Sequence, residues 1–128
     1  MANPERDQQM SILLVDDDKD VREFLSHALS VEGYSVIQAN SGEQTWERFL
    51  QNQDDFDLAI TDIVMPGLLG SDLAARILQV KQDLKFLFIS GNVPPTTSQS
   101  IQMIEGVNFL RKPFRMADVF KAIQNLLG

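Results

Sequence analysis

The chain has 128 residues, 44% of them apolar and 23% charged, with 18 acidic side chains against 11 Lys plus Arg and a formal charge of −7. That is about one domain in length, and its composition is near the globular average, which excludes disorder of the whole chain. Cysteine is absent and His27 is the only histidine, which excludes a disulfide framework, a thiolate metal site and a Cys nucleophile, and leaves a His cluster or a Ser-His-Asp triad little to work with. The negative field disfavours direct binding to nucleic acid or anionic lipid. No apolar run approaches the roughly 20 residues of a membrane span. Residues 1–10 read as a polar N-terminal extension without a signal-peptide core, and residues 11–128 as one domain. These features predict a cytoplasmic protein without membrane association.

In chain order, Ile12, Leu13, Leu14 and Val15 form a short apolar run that stops at Asp16, as suits a strand buried on both faces of a parallel sheet. Val21, Phe24, Leu25, Ala28 and Leu29 follow the spacing of an amphipathic helix, with Gly33 as its stop. Tyr34 to Ala39 reads as a second strand. Ser41-Gly42-Glu43-Gln44 is a capping-box signature that starts a helix at Ser41, whose stripe is Thr45, Trp46, Phe49 and Leu50. Leu58 to Ile60 makes a third strand ending near Asp62, and Leu73, Ala74, Ile77 and Leu78 a third helix. Phe86 to Ile89 makes a fourth strand ending near Ser90, and Val107, Phe109 and Leu110 a fifth. Met116, Val119, Phe120, Ile123, Leu126 and Leu127 form the last helical stripe. Between the fourth and fifth strands the chain is rich in Pro, Ser and Thr, which predicts a short, weakly held helix after Pro95. Strand and helix alternate five times, which points to an α/β sheet covered by helices on both faces.

The polar residues of interest stand where strands end: Asp16, Asp17 and Asp18 after the first, Asp62 after the third, Ser90 after the fourth and Lys112 after the fifth. Open α/β sheets bind ligands outside these carboxyl ends. Asp16, Asp17 and Asp62, less the charge of Lys112, leave two negative charges, which one divalent cation neutralises. Oxygen donors without His or Cys favour a hard ion such as Mg²⁺, which also accepts phosphate oxygens. An Asp beside such an ion, a lysine and a hydroxyl is suited to take up a phosphoryl group as an acyl phosphate.

Four segments carry a resemblance. SILLVDDDKDVREFL (Ser11 to Leu25), DLAITDIVMPG (Asp57 to Gly67), FISG (Phe88 to Gly91) and FLRKPF (Phe109 to Phe114) stand in the order and spacing of bacterial response-regulator receiver domains of the chemotaxis-regulator type. The resemblance implies a flavodoxin-like doubly wound (βα)5 sandwich with a parallel sheet of order 2-1-3-4-5. It implies Asp62 as phosphoacceptor, with Lys112 and Ser90 assisting. It implies Mg²⁺ held by Asp17, Asp62 and the main-chain carbonyl of Val64, with Asp16 acting through a water. Ser90 and Phe109 would form the switch, Phe109 turning inward on phosphorylation, and the Lys112–Pro113 bond would be cis. The implied donor is a histidine kinase or phosphotransfer protein, and the reader an output partner or domain of unspecified kind. Such a domain catalyses only its own phosphorylation and dephosphorylation and is not a metabolic enzyme. The chain departs from the family pattern at Phe109, often Tyr, and at Arg115, where an acid or hydroxyl often caps the last helix. Val64 and Asn92 supply no acid or base for a hydrolytic water.

Other readings compete. Asp18 is better explained as a helix cap than as part of the acidic pair. His27 reads as a surface or boundary residue, and Trp46 and the methionines as packing. Asp16-Asp17-Asp18 after a first strand would also suit a haloacid-dehalogenase-like phosphatase with Asp16 as nucleophile, although Asp62-Ile-Val-Met-Pro-Gly67 is then unexplained. A pseudo-receiver that binds partners without phosphorylation is the third reading. Under the receiver reading, the segment from Gly91 to Met103 should show raised B-factors or several conformations before phosphorylation, and Met103, Phe109 and Met116 should lie on the responsive face.

Overall fold

A computed structural model describes residues 10–51, 55–64, 70–91 and 104–128, Ser71 by its backbone alone. Among these residues the order is β1 (Ser11–Val15), α1 (Lys19–Val31), β2 (Ser35–Ala39), α2 (Gly42–Gln51), β3 (Leu58–Asp62), α3 (Gly70–Leu78), β4 (Lys85–Ser90), β5 (Phe109–Arg111) and α4 (Met116–Leu127). The strands form one parallel sheet in the order β2-β1-β3-β4-β5, as expected. The helix expected after Pro95, with Asn92 and Met103, and the Met65-Pro66-Gly67 part of the motif lie outside the described residues, as do residues 1–9. No helix among the described residues is long and apolar enough to cross a membrane.

The continuous apolar runs divide their side chains between two cores, because successive strand residues point to opposite faces. Leu13, Val15, Ala59, Phe86 and Phe88 join Phe49 of α2 and Leu73, Ala74 and Ile77 of α3 on one face. Ile12, Leu14, Leu58, Ile60, Leu87 and Ile89 join Leu25 and Leu29 of α1 and Val119 and Ile123 of α4 on the other. Trp46 packs beside Phe49, with the Arg76 guanidinium 4.4 Å from its ring centre. His27 is exposed.

The helix ends follow their local chemistry. Asp18 caps α1, its carboxylate accepting from the N–H groups of Asp20 and Val21 at 2.9 and 3.3 Å. At the other end Gly33 takes φ +99°. Its N–H donates to the Ser30 carbonyl and that of Tyr34 to the Leu29 carbonyl, a complete Schellman stop. Tyr34 is thereby drawn out of the expected second strand. Ser41 Oγ accepts the Gln44 N–H at 3.1 Å, while Gln44 Oε1 reaches back one residue further than a standard capping box, to the Asn40 N–H at 2.8 Å. Asp118 reaches back to the Arg115 N–H at 3.4 Å. The guanidinium has no acceptor to complete that box.

Two expectations fail for local reasons. Phe24, placed on the apolar stripe of α1, is 59% exposed, and the buried line of that helix runs through Leu25 and Leu29. Val107, expected in the fifth strand, is exposed. It stands in a turn closed by Asn108 Oδ1 on the Ile104 N–H at 2.7 Å, with Gly106 at φ +84°. That turn postpones the strand to Phe109.

Candidate functional site

Register brings the strand ends to one level. Val15 pairs with Ala39 on one side and Thr61 on the other, so Asp16 and Asp62 step out together at the point where strand order reverses. Asp62 pairs with Ile89, and Ser90 with Arg111. The Lys112 N–H continues the last ladder onto the Ser90 carbonyl at 2.7 Å. The Lys112–Pro113 bond is cis. Four chain segments thus meet at one edge of the sheet.

Lys112 ties two of them. Its Nζ lies 3.0 Å from Asp16 Oδ2 and 3.0 Å from Asp62 Oδ2. Asp16 is 0% exposed and Asp62 7%. Asp16 Oδ1 accepts the Asp18 N–H at 2.9 Å, and Asp62 Oδ1 the Val64 N–H at 3.2 Å. Carboxylate oxygens of Asp16, Asp17 and Asp62 all lie within 4.8 Å of one another. Asp17 is exposed, and among the described residues nothing engages its carboxylate. Ser90 is buried.

Burial pushes the Asp16 carboxyl above its usual range, and the neighbouring Asp62 charge adds to this. The Asp18 N–H and Lys112 oppose the rise without cancelling it. Burial alone would lower the Lys112 ammonium, but its hydrogen bonds to Asp16 and Asp62 outweigh that and hold it above its usual value. Three carboxyl groups thus share one ammonium. Hard oxygen donors at this spacing fit a small divalent cation that keeps several waters.

Residues 12–124 match the response regulator receiver domain. The chain belongs to the response regulator receiver family. Over 116 residues it is 36% identical to the response regulator receiver protein CpdR of Brucella abortus (strain 2308), covering 91% of this chain and 95% of that protein. The solved receiver domain of the hybrid histidine kinase CckA is 30% identical, with TM-score 0.77 over 92% of this chain and 99% of that one. A chain from the complex of histidine kinase ThkA with response regulator protein TrrA is 28% identical, with TM-score 0.78 over 94% and 100%. This is therefore a receiver domain of two-component systems with the flavodoxin-like fold, and the dehalogenase-like reading falls. Asp16 is also badly placed as a nucleophile, being sealed from solvent with both carboxylate oxygens engaged.

Several features of the receiver site had weak sequence signals or none. Lys112, expected to pair with Asp62, pairs with Asp16 as well. A Cβ built on Gly70 would overlap the Asp62 carbonyl oxygen, so glycine is what lets α3 start against the end of β3. Arg22, one charge among several on α1, donates from Nη1 to the Asp16 carbonyl at 2.8 Å. Phe109 is 1% exposed and belongs to the core beside α2 and α3. The expected inward turn thus has no outward starting point in this structure, and Phe109 is not on the surface face proposed for it. Met116 is partly buried.

Proposed function

We propose that the domain takes a phosphoryl group onto Asp62 from the phosphohistidine of a histidine kinase or phosphotransfer protein. The observation that carries this reading is the Lys112 ammonium, 3.0 Å from Asp62 and 3.0 Å from a second, buried carboxylate. An Asp62 oxygen attacks phosphorus, a P–O bond forms as the P–N bond breaks, and the electron pair leaves with the imidazole nitrogen. Lys112 then passes from the Asp62 carboxylate to a phosphoryl oxygen, so that positioning and charge neutralisation lower the barrier. Asp17, Asp62 and the Val64 carbonyl would hold Mg²⁺, with Asp16 reaching it through a water. Bound there, the ion supplies the positive charge that the transferring oxygens need.

Ser90 would donate its hydroxyl to the phosphoryl group, with Phe109 as the second switch residue. Phe109 starts buried. The change therefore passes through the backbone contact between Ser90 and Lys112 into β5 and the turn before it, and Phe109 repacks within the core. An output partner or domain reads that face. The cytoplasm, where ATP-driven kinases act, is the proposed compartment.

Acetyl phosphate with Mg²⁺, or a beryllofluoride mimic, tests the reading. A single base-labile adduct at Asp62, lost in Asp62→Asn, is expected. An adduct mapped to any other residue would overturn it, and no adduct together with no Mg²⁺ binding would leave the pseudo-receiver reading.

A further inference from the structure

The peptide that joins Asp16 to Asp17 is held by a hydrogen-bonded train from two other elements. Arg22 of α1 donates from Nη1 to the Asp16 carbonyl at 2.8 Å and from Nε to Gln38 Oε1 at 3.1 Å. Gln38 of β2 is itself oriented, because its Nε2 donates to Ser26 Oγ at 3.1 Å and its carbonyl accepts from Arg48 Nε at 2.9 Å. Arg22 makes no ion pair among the described residues, although Asp16, Asp17 and Asp18 lie within six positions of it. Its planar fork is spent on a backbone oxygen and an amide, the kind of two-point contact that a lysine cannot reproduce.

The consequence falls on Asp17. A peptide unit is planar, so fixing the Asp16 carbonyl also fixes the Asp17 nitrogen and the direction in which Asp17 leaves the strand end. Asp16 has further holds of its own: its N–H donates to the Ala39 carbonyl at 3.2 Å, and its carboxylate meets Asp18 and Lys112. Asp17 has none on its side chain among the described residues, so its placement rests on the backbone. We propose that Arg22, braced by Gln38, is a positioning residue for the divalent-cation site, holding the Asp16–Asp17 peptide so that the Asp17 carboxylate faces Asp62. This rests on the cation-site reading above.

Sign and selectivity separate positioning from other roles. A cation merely near the site repels Mg²⁺, so its removal would tighten binding. A part of the scaffold alone would leave affinity unchanged once the fold is intact. Loss of a positioning group weakens binding, by about tenfold for an outer-shell partner. It should weaken Mg²⁺ more than Ca²⁺, because Mg²⁺ demands near-ideal octahedral geometry and Ca²⁺ does not.

The experiment is calorimetric titration of the full chain with Mg²⁺ and with Ca²⁺, for wild type, Asp17→Asn, Arg22→Ala, Arg22→Lys and Gln38→Leu. Expected are about tenfold weaker Mg²⁺ binding in Arg22→Ala, a smaller loss in the charge-neutral Gln38→Leu, only partial rescue in Arg22→Lys, and a lowered Mg²⁺ to Ca²⁺ affinity ratio in all three. Should Arg22→Ala fail to fold, Arg22→Lys and Gln38→Leu decide alone. Unchanged or tighter Mg²⁺ binding in the folded Arg22 and Gln38 variants, with Asp17→Asn weakened, overturns the positioning role and spares the cation site. Wild type that binds no Mg²⁺, or Asp17→Asn that binds as wild type, overturns the cation-site reading itself and the positioning role with it.

Discussion

Gly70 shows how a residue without a side chain can govern the one proposed to react. Its amide lies against the carbonyl of Ile63, and a Cβ there would collide with the Asp62 backbone. Gly70→Ala must therefore push either α3 or the end of β3. The expected cost is about 1–3 kcal/mol, as for other overpacking changes, with slower labelling of Asp62 by acetyl phosphate; a variant with wild-type denaturation midpoint and labelling rate would show that α3 yields freely. Asp16, Asp17, Asp62, Ser90 and Lys112 were all legible as candidate chemistry, because each stands within two positions of the end of an apolar run and the fold places such positions on one edge. Which oxygen each cation meets was not. Charge identifies Arg22 and Lys112 as cations, but their acceptors lie on elements whose relative height is set only by sheet register.

At the scale of single elements, Gly33 offers the cleanest test. Its surroundings are open, so only the backbone angle of +99° opposes a side chain. Gly33→Ala should lower stability by about 1–2 kcal/mol, the cost of holding an L-residue in the left-handed region, as read from chemical denaturation. A neutral result would mean that the Schellman turn relaxes at no cost. Strands and helices were readable because short continuous apolar runs alternate with stripes of about 3.6-residue period along the chain. The errors at Phe24 and Val107 share one cause. Hydropathy marks a residue as able to be buried, whereas burial also requires a neighbour, and α1 presents Phe24 past the edge of the core.

For the molecule as a whole, the three-way contact of Lys112, Asp16 and Asp62 makes stability depend on pH in a definite sense. The folded state holds the Lys112 ammonium above its ordinary 10.5, so this contribution is complete below that value and is lost as pH rises through the folded one. The folded state also holds the Asp16 proton above its ordinary 3.8, chiefly through burial, so ionising Asp16 costs stability as pH climbs from there. In chelator, wild type should lose stability on the alkaline side beyond about 10.5, and Lys112→Met should flatten that limb. On the acid side, Asp16→Asn should gain on wild type as pH rises from about 3.8. Thermal unfolding across pH would read both, and parallel curves for the three proteins would mean that the contact contributes nothing. The strand order was legible only through the resemblance to receiver domains, and the sheet has that order, with the ends of the first and third strands side by side.

The long reach of Lys112 also has a meaning in time. Its partners precede it by 96 and 50 residues. On the ribosome, a chain that has emerged only through β4 already displays Asp16, Asp17 and Asp62, yet holds no ammonium to settle them. Until Lys112 arrives, the carboxylates beyond the ends of β1 and β3 lack the ammonium that bridges two of them. The proposed uptake of a phosphoryl group therefore waits for β5 and Lys112, and a chain stopped before β5 should compete poorly for the same donor.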